Sequence, residues 1–147
     1  MKLGIFFIFL MTVFSLSGQT LFDTHFEHKT MRVDYFHTGN AESEHFAVDE
    51  IICDGPWSGN STLLNDPMDL GPYRLVILNK SDKKELFSEG FASIFGEWQT
   101  IPEARTQWGT FHESVRFPWP KAPVILRIDK RDNQNLFQPV WQREIDP

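Results

Sequence analysis

Tyr73-Arg74-Leu75-Val76-Ile77-Leu78, Asn79-Lys80-Ser81-Asp82-Lys83-Lys84 and Glu85-Leu86-Phe87-Ser88 follow one another without a break. The first block is an unbroken apolar run of strand length. The second is a solvated turn. The third reads as the returning arm of a hairpin. Apolar runs of this length, bounded by polar turn clusters, are strand signals.

The same grammar repeats on both sides. Met31 to Phe36 alternates on a period of two and is expected to stop at His37-Thr38-Gly39-Asn40. Glu44 to Cys53 carries Phe46, Val48 and Ile52 on one face, then meets Asp54-Gly55-Pro56. Thr110 to Phe117 places Phe111, Val115 and Phe117 on one side. Pro123 to Asp129 and Phe137 to Gln142 complete the set, and Pro139 suits an edge strand. Pro118, Pro120 and Pro123 are expected to bracket a rigid loop, Phe117 to Ala122. Seven to eight short strands predict an all-β fold, an Ig-like or jelly-roll-like two-sheet sandwich. Phe91, Ile94, Phe95 and Trp98 fall on the helical period but are interrupted by Gly90 and Gly96, so helix and irregular strand both fit. Thr100-Ile101-Pro102-Glu103 resembles a capping box and predicts one short helix over Ile101–Trp108.

The N-terminus has its own grammar. Lys2 precedes an apolar run, Leu3 to Phe14, and small residues follow at Ser15, Ser17 and Gly18. The run is too short for a membrane span and has the layout of a signal peptide. Residues 1–18 are therefore expected to be removed on export, to the periplasm, the cell surface or the medium. Residues 19–147 are left as one β-sandwich domain.

Composition narrows the function classes. The 147-residue chain carries a net charge of -6, so no global basic field is available for nucleic acid. Its 14% aromatic content excludes a disordered chain. The single cysteine, Cys53, cannot form an internal disulfide and reads as a small buried hydrophobe.

Catalytic grammar is missing. His112-Glu113-Ser114-Val115-Arg116 starts like a zinc-protease helix, but its fifth position is Arg, which cannot ligate zinc. His25 and His28 fall close enough for one helical turn, with no further ligand indicated. There is no Gly-x-Ser-x-Gly elbow and no phosphate loop. Asn60-Ser61-Thr62 is a glycosylation triplet that matters only in a eukaryotic secretory pathway. No metal and no cofactor are expected. Trp57, Trp98, Trp108 and Trp119 lie beside turn signals. They serve either as plugs at the ends of the sandwich or as contacts for a protein or glycan.

Longer motifs resemble a known family. The stretch Gly90-Phe91-Ala92-Ser93-Ile94-Phe95-Gly96-Glu97-Trp98-Gln99-Thr100-Ile101-Pro102-Glu103-Ala104 is one. Thr110 to Lys121, Met31 to Gly39 and Pro67 to Tyr73 are others. Together they resemble the N-terminal domain of the bacterial IgA-type zinc metallopeptidases, peptidase family M-sixty-four, over about Leu21 to Pro147. The resemblance implies export, a β-sandwich, and a zinc catalytic domain further on that carries His-Glu-x-x-His. The chain stops at Pro147, about where that domain should begin. The expected product is therefore a non-catalytic accessory or binding domain, a fragment or a stand-alone chain. Its expected partner is a metallopeptidase catalytic domain, or a protein or glycan ligand. Trp98, Glu97, Arg105 and Trp119 are the candidate interface residues. The alternative expectation is a stand-alone carbohydrate-binding or adhesion module that uses its loop tryptophans.

Overall fold

The computed structural model describes residues 20–147. The expected signal peptide, residues 1–18, lies outside the described residues. Seven strands form two antiparallel sheets. They are β1 (Phe26–Gly39), β2 (Glu44–Pro56), β3 (Tyr73–Asn79), β4 (Glu85–Phe91), β5 (Gly109–Pro120), β6 (Val124–Arg131) and β7 (Phe137–Ile145). One sheet has the order β2-β1-β5 and the other β4-β3-β6-β7. The expected sandwich is therefore the observed one.

Period-two alternation decides what is inside. Met31, Val33 and Tyr35 of β1 face Leu75 and Ile77 of β3 and Leu126 and Ile128 of β6 across the core. Val115 and Phe117 of β5 extend the same layer. β3 lies between β4 and β6, which explains its unbroken apolar sequence. Its alternate residues Val76 and Leu78 join Ile125 in a small cluster on the outer face of the four-stranded sheet. Pro139 does fall in an edge strand, β7.

Several boundaries move. β1 runs through His37 and Thr38 to Gly39, because both its neighbours keep pairing that far. β5 extends through Pro118 to Pro120, so the expected rigid loop over Phe117–Ala122 is mostly strand. Its edge position tolerates the two prolines. A bulge between the Asp34–Glu50 and Tyr35–Val48 pairs reverses the facing of β2. Ile52 then pairs with Arg32 on the outer side, away from Phe46 and Val48. Beyond that bulge β2 overhangs the sandwich, and Cys53 is exposed rather than buried.

The helices are short. α1 spans Leu21–His25 and α2 spans Ile94–Trp98. The helix expected over Ile101–Trp108 is only a 3-10 turn, Pro102–Arg105. Its expected cap fails because the Thr100 hydroxyl donates backward to the Glu97 carbonyl at 2.7 Å. His25 ends α1 and His28 lies in β1, so they do not share a helical turn. Among the described residues, no helix is long and apolar enough to cross a membrane.

Leu126 is completely buried between the sheets. Leu126→Ala should cost about 2–5 kcal/mol of unfolding free energy. Urea denaturation should show a lower midpoint with an unchanged slope.

Candidate functional site

One end of the sandwich departs from apolar packing. The inward series of β1 continues from Met31, Val33 and Tyr35 to His37. The inward series of β5 reads Phe111, Glu113, Val115, Phe117, and that of β2 reads Glu44, Phe46, Val48. Three polar side chains thus enter the core at the same level. Tyr73 of β3 and Lys130 of β6 are paired with each other and arrive from the facing sheet.

His37 is the hub. It is 1% exposed. Its Nδ1 lies 3.2 Å from Glu113 Oε2 and its Nε2 lies 2.9 Å from Glu44 Oε2. The rings of Phe46 and Phe95 stack on it, each with its centroid at 4.0 Å. An ionised carboxylate can only accept, so this arrangement favours a ring that carries a proton on both nitrogens.

Every other polar member is also satisfied. The Tyr73 hydroxyl donates to Glu44 at 2.9 Å, and the Lys130 ammonium donates to the other Glu44 oxygen at 2.8 Å. Tyr35 donates to Glu113 at 3.2 Å. The Ser93 hydroxyl donates to Glu113 at 2.9 Å, and the Phe95 amide donates to the same oxygen at 3.0 Å. Ser93 in turn accepts from the Gly96 amide at 3.0 Å as the N-cap of α2. Glu113 therefore anchors the start of α2. Gln99, just past its end, donates to the Asn40 carbonyl and accepts from Lys130.

The titration behaviour follows from these contacts. Burial opposes charge on His37, but the hydrogen bonds to Glu113 and Glu44 outweigh it and raise its pKa. Burial likewise opposes charge on Glu44, yet His37, Lys130 and Tyr73 push its pKa down to about 2. Glu113 is lowered against its own burial by His37, the Phe95 amide and Ser93. Burial raises Tyr35 and Tyr73, reinforced by the neighbouring carboxylates, so both stay protonated.

Ser93, His37 and Glu44 have the order of a hydrolytic triad, with Ser93 Oγ 3.3 Å from His37 Nδ1. The chemistry does not follow. A general base needs a free lone pair, and both His37 nitrogens are engaged by carboxylates. Ser93 is 3% exposed, and its hydroxyl is committed to Glu113.

Outside this cluster, three large apolar side chains are exposed among polar neighbours in the segment between β4 and β5. Ile94 is 62% exposed, Ile101 41% and Trp108 60%. Trp108 stacks on His45. Of the residues expected from sequence, Glu97, Trp98 and Arg105 lie on this end. Glu97 and Arg105 are exposed, and Arg105 borders a cavity of about 340 Å³ with Asn40 and Glu42. Trp98 is half-buried against Phe95 and Phe111. Trp119 does not join them. It sits at the far end of β5, opposite Glu27, and packs against the main core with Trp57. His112 faces outward to Asp49 at 3.1 Å. Among the described residues, no group of three or more His, Cys, Asp or Glu could hold a metal ion.

The missed residues left one signal in the sequence. A charged side chain in an inward series, such as Glu113 between Phe111 and Val115, requires buried partners. A family model described as Peptidase M64 N-terminus matches residues 21–142. No curated protein matches the chain.

Two predictions follow from the cluster. Glu113→Gln removes one charge of a buried set and should cost about 3 kcal/mol, read by chemical denaturation. In acid, the contribution of Glu44 is present above its ordinary value of 4.5 and lost as pH falls through about 2. Wild-type stability should therefore drop across that window, and Glu44→Gln should flatten the drop.

Proposed function

Since this chain belongs to the Peptidase M64 N-terminus family, we propose that it is an exported, non-catalytic accessory domain of a peptidase. In this reading its work is docking, and the partner is a metallopeptidase catalytic domain. The contact surface is the apolar end made by α2 and the 3-10 turn, with Ile94, Ile101 and Trp108 as anchors. Glu97 and Arg105 supply its polar rim.

The state of His37 supports this reading most. The cluster of Ser93, His37 and Glu44, which has the residue types for hydrolysis, is locked as buried structure, and Ile94 of α2 lies exposed beside it. Large exposed apolar side chains grouped on a firm support suit an interface. Trp57, Trp98 and Trp119 all spend at least part of their rings on packing. That argues for a protein contact at this end over a row of sugar-stacking tryptophans.

The test is a binding titration with a zinc peptidase domain of the same family. Ile94→Arg and Trp108→Ala should each weaken binding about tenfold. Trp119→Ala should lower stability and leave the affinity of the folded fraction unchanged. Chelator-sensitive cleavage of protein substrates by the purified chain would overturn the non-catalytic reading. Export is tested by sequencing the N-terminus of the product outside the cytoplasm, which should start near Gln19.

A further inference from the structure

His37 has a role that docking alone does not use. Its two ring nitrogens face carboxylates from two different strands, and its faces are closed by Phe46 and Phe95. Phe46 and Phe95 thus close the two faces while the carboxylates hold the two edges. Phe95 belongs to α2.

We propose that the proton on His37 governs how firmly α2 is held, so that the docking face is firm at mildly acidic pH and loosens as the solution becomes alkaline. The coupling to α2 stands on this chain alone; only its consequence for a partner rests on the docking reading.

The charge count explains the direction. The groups facing His37 are Tyr35 of β1, Glu44 of β2, Tyr73 of β3, Ser93 and Phe95 of the α2 segment, and Glu113 of β5. Lys130 of β6 reaches the set through Glu44. With His37 charged, two carboxylates face two cations. A neutral His37 leaves one negative charge uncompensated in a buried site. It also has one proton for two acceptors. Glu44 keeps the Lys130 ammonium. Glu113 keeps only the neutral donors Ser93, Tyr35 and the Phe95 amide. Glu113 is thus the partner left short of positive charge, and it is the group that anchors the start of α2. The raised pKa of His37 means that its stabilising contribution is complete below its ordinary value of 6.5 and is lost as pH rises through the folded value.

Amide hydrogen exchange on the full chain tests this directly. Protection factors are corrected for the intrinsic pH dependence of exchange. The Phe95, Gly96 and Glu97 amides should lose protection by about tenfold or more between about pH 6 and pH 9, while Leu75 to Ile77 in β3 lose less. In His37→Gln the α2 amides should be weakly protected and insensitive to pH over that range. If that variant does not fold, nitrogen NMR of the wild-type ring supplies the second measurement. Both nitrogens should be protonated at neutral pH, and their titration should coincide with the loss of α2 protection. Unchanged α2 protection while the ring loses its proton overturns the proposal, as does a neutral ring at pH 7. Neither measurement needs a partner. A failed binding titration therefore counts against docking, and flat α2 exchange counts against the His37 coupling.

Discussion

A histidine held between two carboxylates ties the two sheets and α2 together. Glu44, His37 and Glu113 come from three strands of one sheet, while Tyr73 and Lys130 reach them from the other. Burying charges costs several kcal/mol per ion, and mutual attraction offsets that cost only with good geometry and full hydrogen bonding. Those conditions are met here, since each oxygen and each ring nitrogen has a donor or acceptor within hydrogen-bond distance. An apolar replacement could match the stability. It could not fix the start of α2, because only an acceptor can take the Phe95 amide and the Ser93 hydroxyl.

The two ends of the sandwich divide their work accordingly. At the far end α1, Trp119 and Trp57 close the core by apolar contact. The Lys121 amide bonds to the His25 carbonyl at 2.9 Å and the Thr30 hydroxyl to the Pro56 carbonyl at 2.9 Å. That end is a seal. At the α2 end the polar cluster lies inside, and the apolar residues Ile94, Ile101 and Trp108 lie outside. This inversion is the observation on which the docking proposal rests. A helix that turned its apolar side chains inward would gain burial energy. Here Phe95 alone goes fully inward, and Ser93 and Glu113 decide the angle at which α2 leaves the strand.

Much of the sandwich was legible because burial between two sheets imposes a period of two. β1 shows that period from Met31 to Tyr35, whereas the hairpin over residues 73–88 was legible from an unbroken apolar run closed by a polar turn. The α2 segment was half legible. Its periodicity pointed to a helix, but Gly96 argued against one, and the reason for that glycine is tertiary. A Cβ there would sit 2.6 Å from the Tyr73 ring. The 3-10 turn was over-read, because a Thr-x-x-Glu pattern does not specify which carbonyl the threonine will choose. The polar cluster was missed through one boundary. Ending β1 at Phe36 removed His37 from the inward series. Without His37 there is no reason to ask what Glu44 and Glu113 do in theirs.

The motif that carried the family resemblance gains a physical meaning from these contacts. In the stretch from Gly90 to Ala104, Ser93 caps α2 and Phe95 stacks on His37. Gly96 admits the Tyr73 ring. Trp98 lies so close to Gly109 that a Cβ on the glycine would sit 2.9 Å from the indole. Gln99 links Lys130 to the Asn40 carbonyl. Most of the motif is therefore consumed in building the support. What it leaves exposed is Ala92, Ile94, Glu97 and the run from Thr100 to Glu103. A sequence pattern dense in aromatic and polar residues invites a reading as a binding site. Here most of the pattern is spent on packing Phe95, Gly96, Trp98 and Gln99 against the two sheets.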